Sequence, residues 1–274
     1  MLEQMMHHPQ TISDLPLSWV VLPPVDKLAS EVSAADLEDV KRVSASLFPR
    51  NLPQLAGLEY AGVCMEARQA GGDYYDFFDR GSHRLGFAIG DVSGKGIASA
   101  IVRATLQAGL RTLSTTASTG LGQTLAAVNR LLFDSSPEEM YATLFLAEYD
   151  ERSRRLQYVN CGHPAPIVYG HGGVSRLEPN ATVLGLFGDW ECLTTEVQLA
   201  PGDLVLLYTD GASEAMNDSG EQFGEDRLVE ALRRHAHLPP SAILQKCLDR
   251  VRGFADDGER DDITLVALRC FACA

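Results

Sequence analysis

Aspartate recurs at four places where chemistry could be done: Gly71-Gly72-Asp73-Tyr74-Tyr75-Asp76, Gly90-Asp91-Val92-Ser93-Gly94-Lys95-Gly96, Tyr208-Thr209-Asp210-Gly211 and Asp261-Asp262-Ile263-Thr264. Each places a carboxylate at or beside the end of a stretch that reads as a β-strand. Carboxylates presented in this way suit hard, oxygen-preferring divalent cations such as Mg²⁺ or Mn²⁺. Taken singly, an aspartate beside glycine is an ordinary turn former. Turn formation does not require four such motifs with matching apolar flanks, such as the run Leu204 to Tyr208 before Thr209-Asp210-Gly211.

The elements that must position these acids are legible from periodicity. Strands are expected over Leu58 to Ala67, Asp73 to Phe78, Leu85 to Val92, Ala142 to Tyr149, Leu156 to Asn160, Ile167 to Tyr169, Leu193 to Leu199, Leu204 to Thr209 and Ile263 to Cys270. Helices are expected over Gly96 to Leu113, Leu121 to Phe133, Glu225 to His235 and Ser241 to Phe254, the last two separated by Pro239-Pro240. Strands in hairpin order, with helices arriving in pairs, indicate an α+β layered domain rather than an alternating βαβ chain. Ahead of this domain, residues 1–24 read as a flexible, proline-punctuated arm. Residues 25–49 read as a linker or regulatory helix stopped by Pro49, and the domain proper is expected over residues 50–274. The linker's stripe Val25, Leu28, Val32, Ala35 shifts by one position to Val40, Val43, Leu47. That stripe serves either a helix packed on the domain or a dimer seam, and the shift argues against a long coiled coil.

The four motifs, in this order from about residue 46 to residue 270, resemble the metal-dependent (PPM-type) serine/threonine protein phosphatases, and within them the bacterial SpoIIE/RsbU-like branch. The resemblance implies a four-layer α-β-β-α sandwich of two antiparallel sheets with flanking helices. It implies two Mn²⁺ or Mg²⁺ ions held by Asp73, Asp91, the carbonyl of Val92, Asp210 and Asp261, with Asp91 bridging both. Asp73, Asp91, Asp210 and Asp261 thus form the expected catalytic set. Asp262 adjoins Asp261 and either could be the ligand; alignment of the motif favours Asp261. Two such ions about 3.5–4 Å apart lower the pKa of a shared water towards about 7. The resulting hydroxide would attack phosphorus in line, without a side-chain nucleophile.

Composition bounds the function further. The chain has 274 residues, 45% of them hydrophobic, and a formal charge of −14. That balance opposes non-specific binding to nucleic acid or to an anionic membrane, which needs a basic face. No apolar run is long enough to span a bilayer, and no secretory pattern opens the chain, so a cytoplasmic location is expected. Of the cysteines Cys64, Cys161, Cys192, Cys247, Cys270 and Cys273, the last two form a lone CxxC without a second pair or histidines at ligand spacing, so all six read as reduced thiols.

Other motifs fail on inspection. Gly94-Lys95 lacks the preceding glycine of a P-loop, where Ile89 stands, and Gly96 replaces its Ser/Thr. Ser93 lacks the glycine flanks of a nucleophile elbow. His163, in Asn160-Cys161-Gly162-His163-Pro164, reads as a hydrogen-bonded structural histidine in a turn. The eukaryotic members of the family carry a histidine two positions after the bridging aspartate, where this chain has Ser93. They also grip phosphate with an arginine near the chain start that has no counterpart here; Lys95 or a metal ion could substitute.

The expected activity is hydrolysis of phosphoserine or phosphothreonine on a regulatory partner protein, by resemblance an anti-sigma-factor antagonist in a partner-switching pathway. A pseudophosphatase serving as an interaction module is the alternative, which loss of a metal carboxylate would mark; all four are present. Self-association or a partner acting through Val32, Val40, Val43 and Leu47 would set the activity, and a homodimer through this helix is one form of that expectation.

Overall fold

The computed structural model describes residues 33–50, 52–67, 70–81, 83–114, 120–255 and 261–272. The amino-terminal arm, the first residues of the anticipated linker helix and Cys273 lie outside the described residues. The described residues divide into two units between Asp39 and Val40. In the first, Ser33 caps the start of helix α1 (Ala34–Leu47). Its N–H and hydroxyl donate to Asp36 Oδ2 at 2.9 and 2.7 Å, and the Asp36 N–H donates back to Ser33 Oγ at 3.2 Å. This reciprocal bonding satisfies amides that the first turn leaves open.

The second unit carries two five-stranded antiparallel sheets. Among its elements, β1 spans Leu58–Met65, β2 Tyr74–Asp79, β3 Arg84–Val92, β4 Ala142–Asp150, β5 Arg155–Cys161 and β6 Ile167–Gly170. They are followed by β7 (Gly173–Arg176), β8 (Thr195–Gln198), β9 (Leu204–Tyr208) and β10 (Ile263–Cys270). One sheet runs β1-β10-β9-β6-β7 and the other β2-β3-β4-β5-β8. Helices α2 (Ile97–Ser114) and α3 (Leu121–Ser135) cover the second sheet, while α5 (Glu225–His235) and α6 (Pro240–Phe254) cover the first. A one-turn helix α4 (Asp210–Ser213) follows β9. The expected α+β sandwich is therefore observed.

Period-two alternation builds the layers. Along β3, Leu85, Phe87 and Ile89 enter the core between the sheets, whereas Ala88 and Val92 face α2 and α3. Along β9 and β10, Val205, Leu207, Val266 and Leu268 point between the sheets. Their neighbours Leu204, Leu206, Leu265 and Ala267 point towards α5 and α6. Both faces of each sheet are thus covered, which explains why β9 reads as a continuous apolar run rather than an alternating one. Two short elements, β7 and α4, lie below the length at which periodicity distinguishes them from turns. The expected strand Leu193 to Leu199 shortens to Thr195–Gln198.

Helix α2 carries two rows. Val102, Leu106 and Leu110 pack on the sheet, while Arg103, Gln107 and Arg111 form a polar row with i,i+4 spacing. Arg103, whose side chain is 1% exposed, bonds the Ser44 hydroxyl at 2.6 Å, the Asp73 carbonyl at 3.0 Å and Glu66 Oε1 at 3.3 Å. Its guanidinium also lies 5.2 Å from the centre of the Phe48 ring. Gln107 and Arg111 donate to both the Leu47 carbonyl and the buried Asp76 carboxylate. The last turns of α1 are held to α2 and β2 by this row, with Ser44 buried. Val43, one residue away, is 56% exposed.

Breaking a buried ion pair from one side leaves an unpaired charge and costs about 3–5 kcal/mol. Arg103→Met is expected to lower the unfolding free energy by about that amount, comparable to the ~2–5 kcal/mol for Leu106→Ala in the adjacent apolar row. Urea denaturation of both variants checks this; a loss below about 1 kcal/mol for Arg103→Met would remove the polar row as a determinant of stability.

Candidate metal centre

Strand register brings the first two acids together. Tyr74 pairs with Gly90 across β2 and β3, so Asp73, one residue before β2, stands beside Asp91 near the end of β3. The Val92 N–H donates to the Gly72 carbonyl at 3.3 Å, fixing the turn that precedes Asp73. On the other sheet, Tyr208 pairs with Leu265, which sets Thr209 opposite Thr264 and Asp210 near the start of β10. Thr209 joins the two sheets. Its hydroxyl donates to Asp73 Oδ2 at 2.8 Å and accepts the Thr264 N–H at 3.0 Å.

Close backbone approach explains the glycines of these motifs. A Cβ on Gly71 would stand 1.6 Å from an Asp262 carboxylate oxygen. A Cβ on Gly72 would stand 2.5 Å from the Val92 carbonyl oxygen and 2.8 Å from Asp91 Oδ1. At Gly211 a Cβ would stand 2.0 Å from the Asp262 carbonyl oxygen.

The electrostatics show that the acids form one cluster. Burial first, then the carboxylates of Asp210, Asp261 and Asp262, push the Asp91 carboxyl up to about 7. Burial and the neighbouring Asp91 hold Asp73, which is 2% exposed, well above the usual carboxylate range. Asp210 is raised by burial and by Asp261, and Asp262 by burial. Like charges taken out of water resist joint ionisation unless a cation compensates them.

Asp261 and Asp262 differ in what they touch. The Asp262 carboxylate is 8% exposed and accepts the Ala67 N–H at 2.8 Å. The Asp261 carboxylate is half exposed and pairs with Lys95, Oδ2 to Nζ 3.1 Å. It lines a narrow cleft with Asp91, Gly72 and Gly94, and a larger cavity of about 200 Å³ with Asp210, Lys95 and Arg252. Among the described residues, no three Asp, Glu, His or Cys side chains stand close enough to make a ready-formed metal cage. Asp73 and Asp261 each spend an oxygen on a protein partner, Thr209 and Lys95 respectively. The donor set nevertheless fits a hard divalent cation: all donors are oxygen, the carboxylates outnumber the single lysine paired with them, and the glycines leave room for close approach.

His163 is fully buried, and burial lowers its pKa to about 3, so it is neutral. Nδ1 lies 3.0 Å from the Thr143 hydroxyl, and the backbone N–H donates to Asn160 Oδ1 at 2.8 Å. Thr143 pairs with Asp91 across β3 and β4, so His163 supports the strand behind the acids. Two contributors escaped the sequence reading. Thr209 lies inside a recognised motif, but its cross-sheet bond is set by packing. Arg103 could have been noticed as a cation within the apolar stripe of α2.

Residues 81–271 match the family described as Stage II sporulation protein E (SpoIIE). The chain is 26% identical over 239 residues to phosphoserine phosphatase RsbU of Bacillus subtilis, spanning 86% of this chain and 70% of that protein. It is similar to the solved RsbU and RsbW domains of Rv1364c from Mycobacterium tuberculosis, with TM-score 0.70 and 26% identity over 81% of this chain and 62% of that one. The SiaA-PP2C domain of Pseudomonas aeruginosa shares the fold, with TM-score 0.74 and 20% identity over 90% of this chain and 99% of that one. A described α-β-β-α sandwich with aspartates gathered at one end of both sheets, matched along most of its length by these proteins, places the chain in the SpoIIE family of PP2C-type, metal-dependent protein phosphatases.

Proposed function

We propose that this chain hydrolyses phosphoserine or phosphothreonine on a regulatory partner protein in the cytoplasm, by the family resemblance an anti-sigma-factor antagonist. The observation that carries this reading is the convergence of Asp73 and Asp91 from one sheet with Asp210 and Asp261 from the other. Asp73, Asp91, the Val92 carbonyl, Asp210 and Asp261 would hold two Mn²⁺ or Mg²⁺ ions. The half-exposed Asp261, facing the same clefts as Asp91 and Asp210, is favoured as ligand over Asp262, whose carboxylate is engaged by the Ala67 amide. When bound, such cations supply Lewis acidity, activating a water and neutralising phosphoryl oxygens.

The chain's own residues do the rest. Buried Asp73 and partly buried Asp91 provide negative charge that is less screened than at the surface and so attracts a cation more strongly. Thr209 orients Asp73, and neutral His163 with Thr143 keeps the strand behind Asp91 in place. The cavity beside Asp210 and Asp261 is open to a protein-borne phosphoryl group. A second proposal concerns α1: Val43, exposed beside the anchored Ser44, offers an apolar contact for self-association.

Three outcomes are expected. Hydrolysis of a phosphoserine peptide should require Mn²⁺ or Mg²⁺, vanish with EDTA and fall on the order of 100-fold or more in Asp91→Asn. Wild-type turnover in that variant, or in rigorously metal-free protein, would sink the reading.

The pH dependence follows from Asp91, whose carboxyl rises from 3.8 to about 7 on folding. The folded metal-free chain then holds a proton that the unfolded chain has released. Its stability should fall as pH rises from about 4 to about 7, by a few kcal/mol at most. Cation affinity should rise over the same window, because binding requires the carboxylate. Melting of metal-free wild type and Asp91→Asn at about pH 5 and about pH 8 tests this; an equal pH response in both contradicts it.

Finally, Val43→Asp should reduce the mass in solution of any self-associated form while leaving melting within about 0.5 kcal/mol of wild type. Unchanged mass across a wide concentration range rejects α1 as a dimer contact.

A further inference from the structure

We propose that Lys95 is the residue that grips the substrate's phosphoryl group, and that its pairing with Asp261 reserves it until a divalent cation takes that carboxylate. The proposal rests on the phosphatase reading and adds the missing anion-binding group of the site. Three observations carry it. Lys95 Nζ is 3.1 Å from Asp261 Oδ2, with both side chains about half exposed, 47% and 52%. Lys95 lines both the narrow cleft that holds Asp91 and the larger cavity that holds Asp210. It also stands between Gly94 and Gly96, at φ +91° and +79°, with nothing within 4 Å of where a Cβ on either glycine would be.

An ion pair as exposed as this one is weak, because water solvates both partners and screens their attraction. At the same distance a divalent cation attracts the carboxylate twice as strongly as an ammonium does. Asp261 therefore exchanges Lys95 for the cation, and the ammonium is left without its counter-charge beside the reaction site. The two flanking glycines, both in the left-handed region and uncrowded, let the backbone follow the side chain to a new position. A lysine suits this duty: it is a mobile point charge with three donors, and phosphate accepts such charge readily. Arg252 lines the same 200 Å³ cavity and makes no ion pair among the described residues. The loaded cavity thus presents two cations to an anionic substrate. Coupling follows directly: the cation that activates the site also releases the group that binds the phosphoryl oxygens.

Two opposite effects in one variant test this. Lys95→Met removes a competitor for Asp261, so Mn²⁺ should bind about 2–5-fold more tightly by calorimetric titration, which requires no turnover. The same variant should show KM for a phosphoserine peptide raised on the order of tenfold or more, and inorganic phosphate should inhibit it correspondingly less. Lys95→Arg, which keeps the charge, should restore both values to within a few-fold of wild type. A melting temperature close to wild type in the absence of Mn²⁺ identifies a folded variant, since tighter cation binding would itself raise the value in Mn²⁺. Mn²⁺ affinity unchanged or weakened in Lys95→Met, or KM unchanged, would overturn the proposal. Failure of wild type to hydrolyse the peptide despite normal Mn²⁺ binding would overturn the phosphatase reading instead, and the substrate half of this one with it.

Discussion

The hydrogen bond from the Thr209 hydroxyl to Asp73 Oδ2 couples the two sheets at the end where the carboxylates gather. Apolar packing between the sheets sets their separation but is non-directional, and cannot by itself fix the relative position of two strand ends. The hydroxyl can. It accepts the Thr264 amide from its own sheet while donating to the acid of the other, so both of its roles are satisfied and its position is defined. Asp262 acts within one sheet: it precedes β10, accepts the Ala67 amide beyond the end of the paired strand β1, and fills the space that Gly71 leaves. Without the Thr209 bond the sheets would still pack through their shared core, but the strand ends that carry the four acids would lose their directional link.

Gathering the acids is unfavourable in the absence of a cation. Burial and mutual repulsion raise Asp73, Asp91 and Asp210 together, a condition that folding alone would not select. The rest of the domain holds them there. Its three apolar clusters, one between the sheets and one beneath each helical layer, leave the strands little freedom to separate. Functional sites commonly carry such local instability, offset by the surrounding core.

Helix α2 connects this site to the chain before it. Its start follows the glycine turn after Asp91, and its polar row binds α1 through Ser44 and Leu47 and β2 through the Asp73 carbonyl and Asp76. A displacement of α1 would therefore reach Asp73 through one arginine.

Much of this was legible in the residues. Apolar alternation marks the long strands, amphipathic spacing marks α2, α3, α5 and α6, and glycine beside aspartate marks the turns where backbone approaches carboxylate. These signals are local, and chain order alone preserves them. The stripe through Val43 was legible too, but which residue of α1 packs inward was not: the structure buries Ser44 and exposes Val43, because a buried arginine on a neighbouring helix needs a hydroxyl more than a methyl. Short elements such as β7 and α4 were invisible, being no longer than a turn. The distinct surroundings of Asp261 and Asp262, the pairing of Lys95, the bond of Thr209 and the neutral burial of His163 all depend on groups distant in sequence. Residue types determined that this chain could gather oxygen ligands at strand ends. Only the tertiary structure decided which oxygens are engaged by the protein and which face the cleft, because hydrogen bonds and desolvation act on neighbours in space.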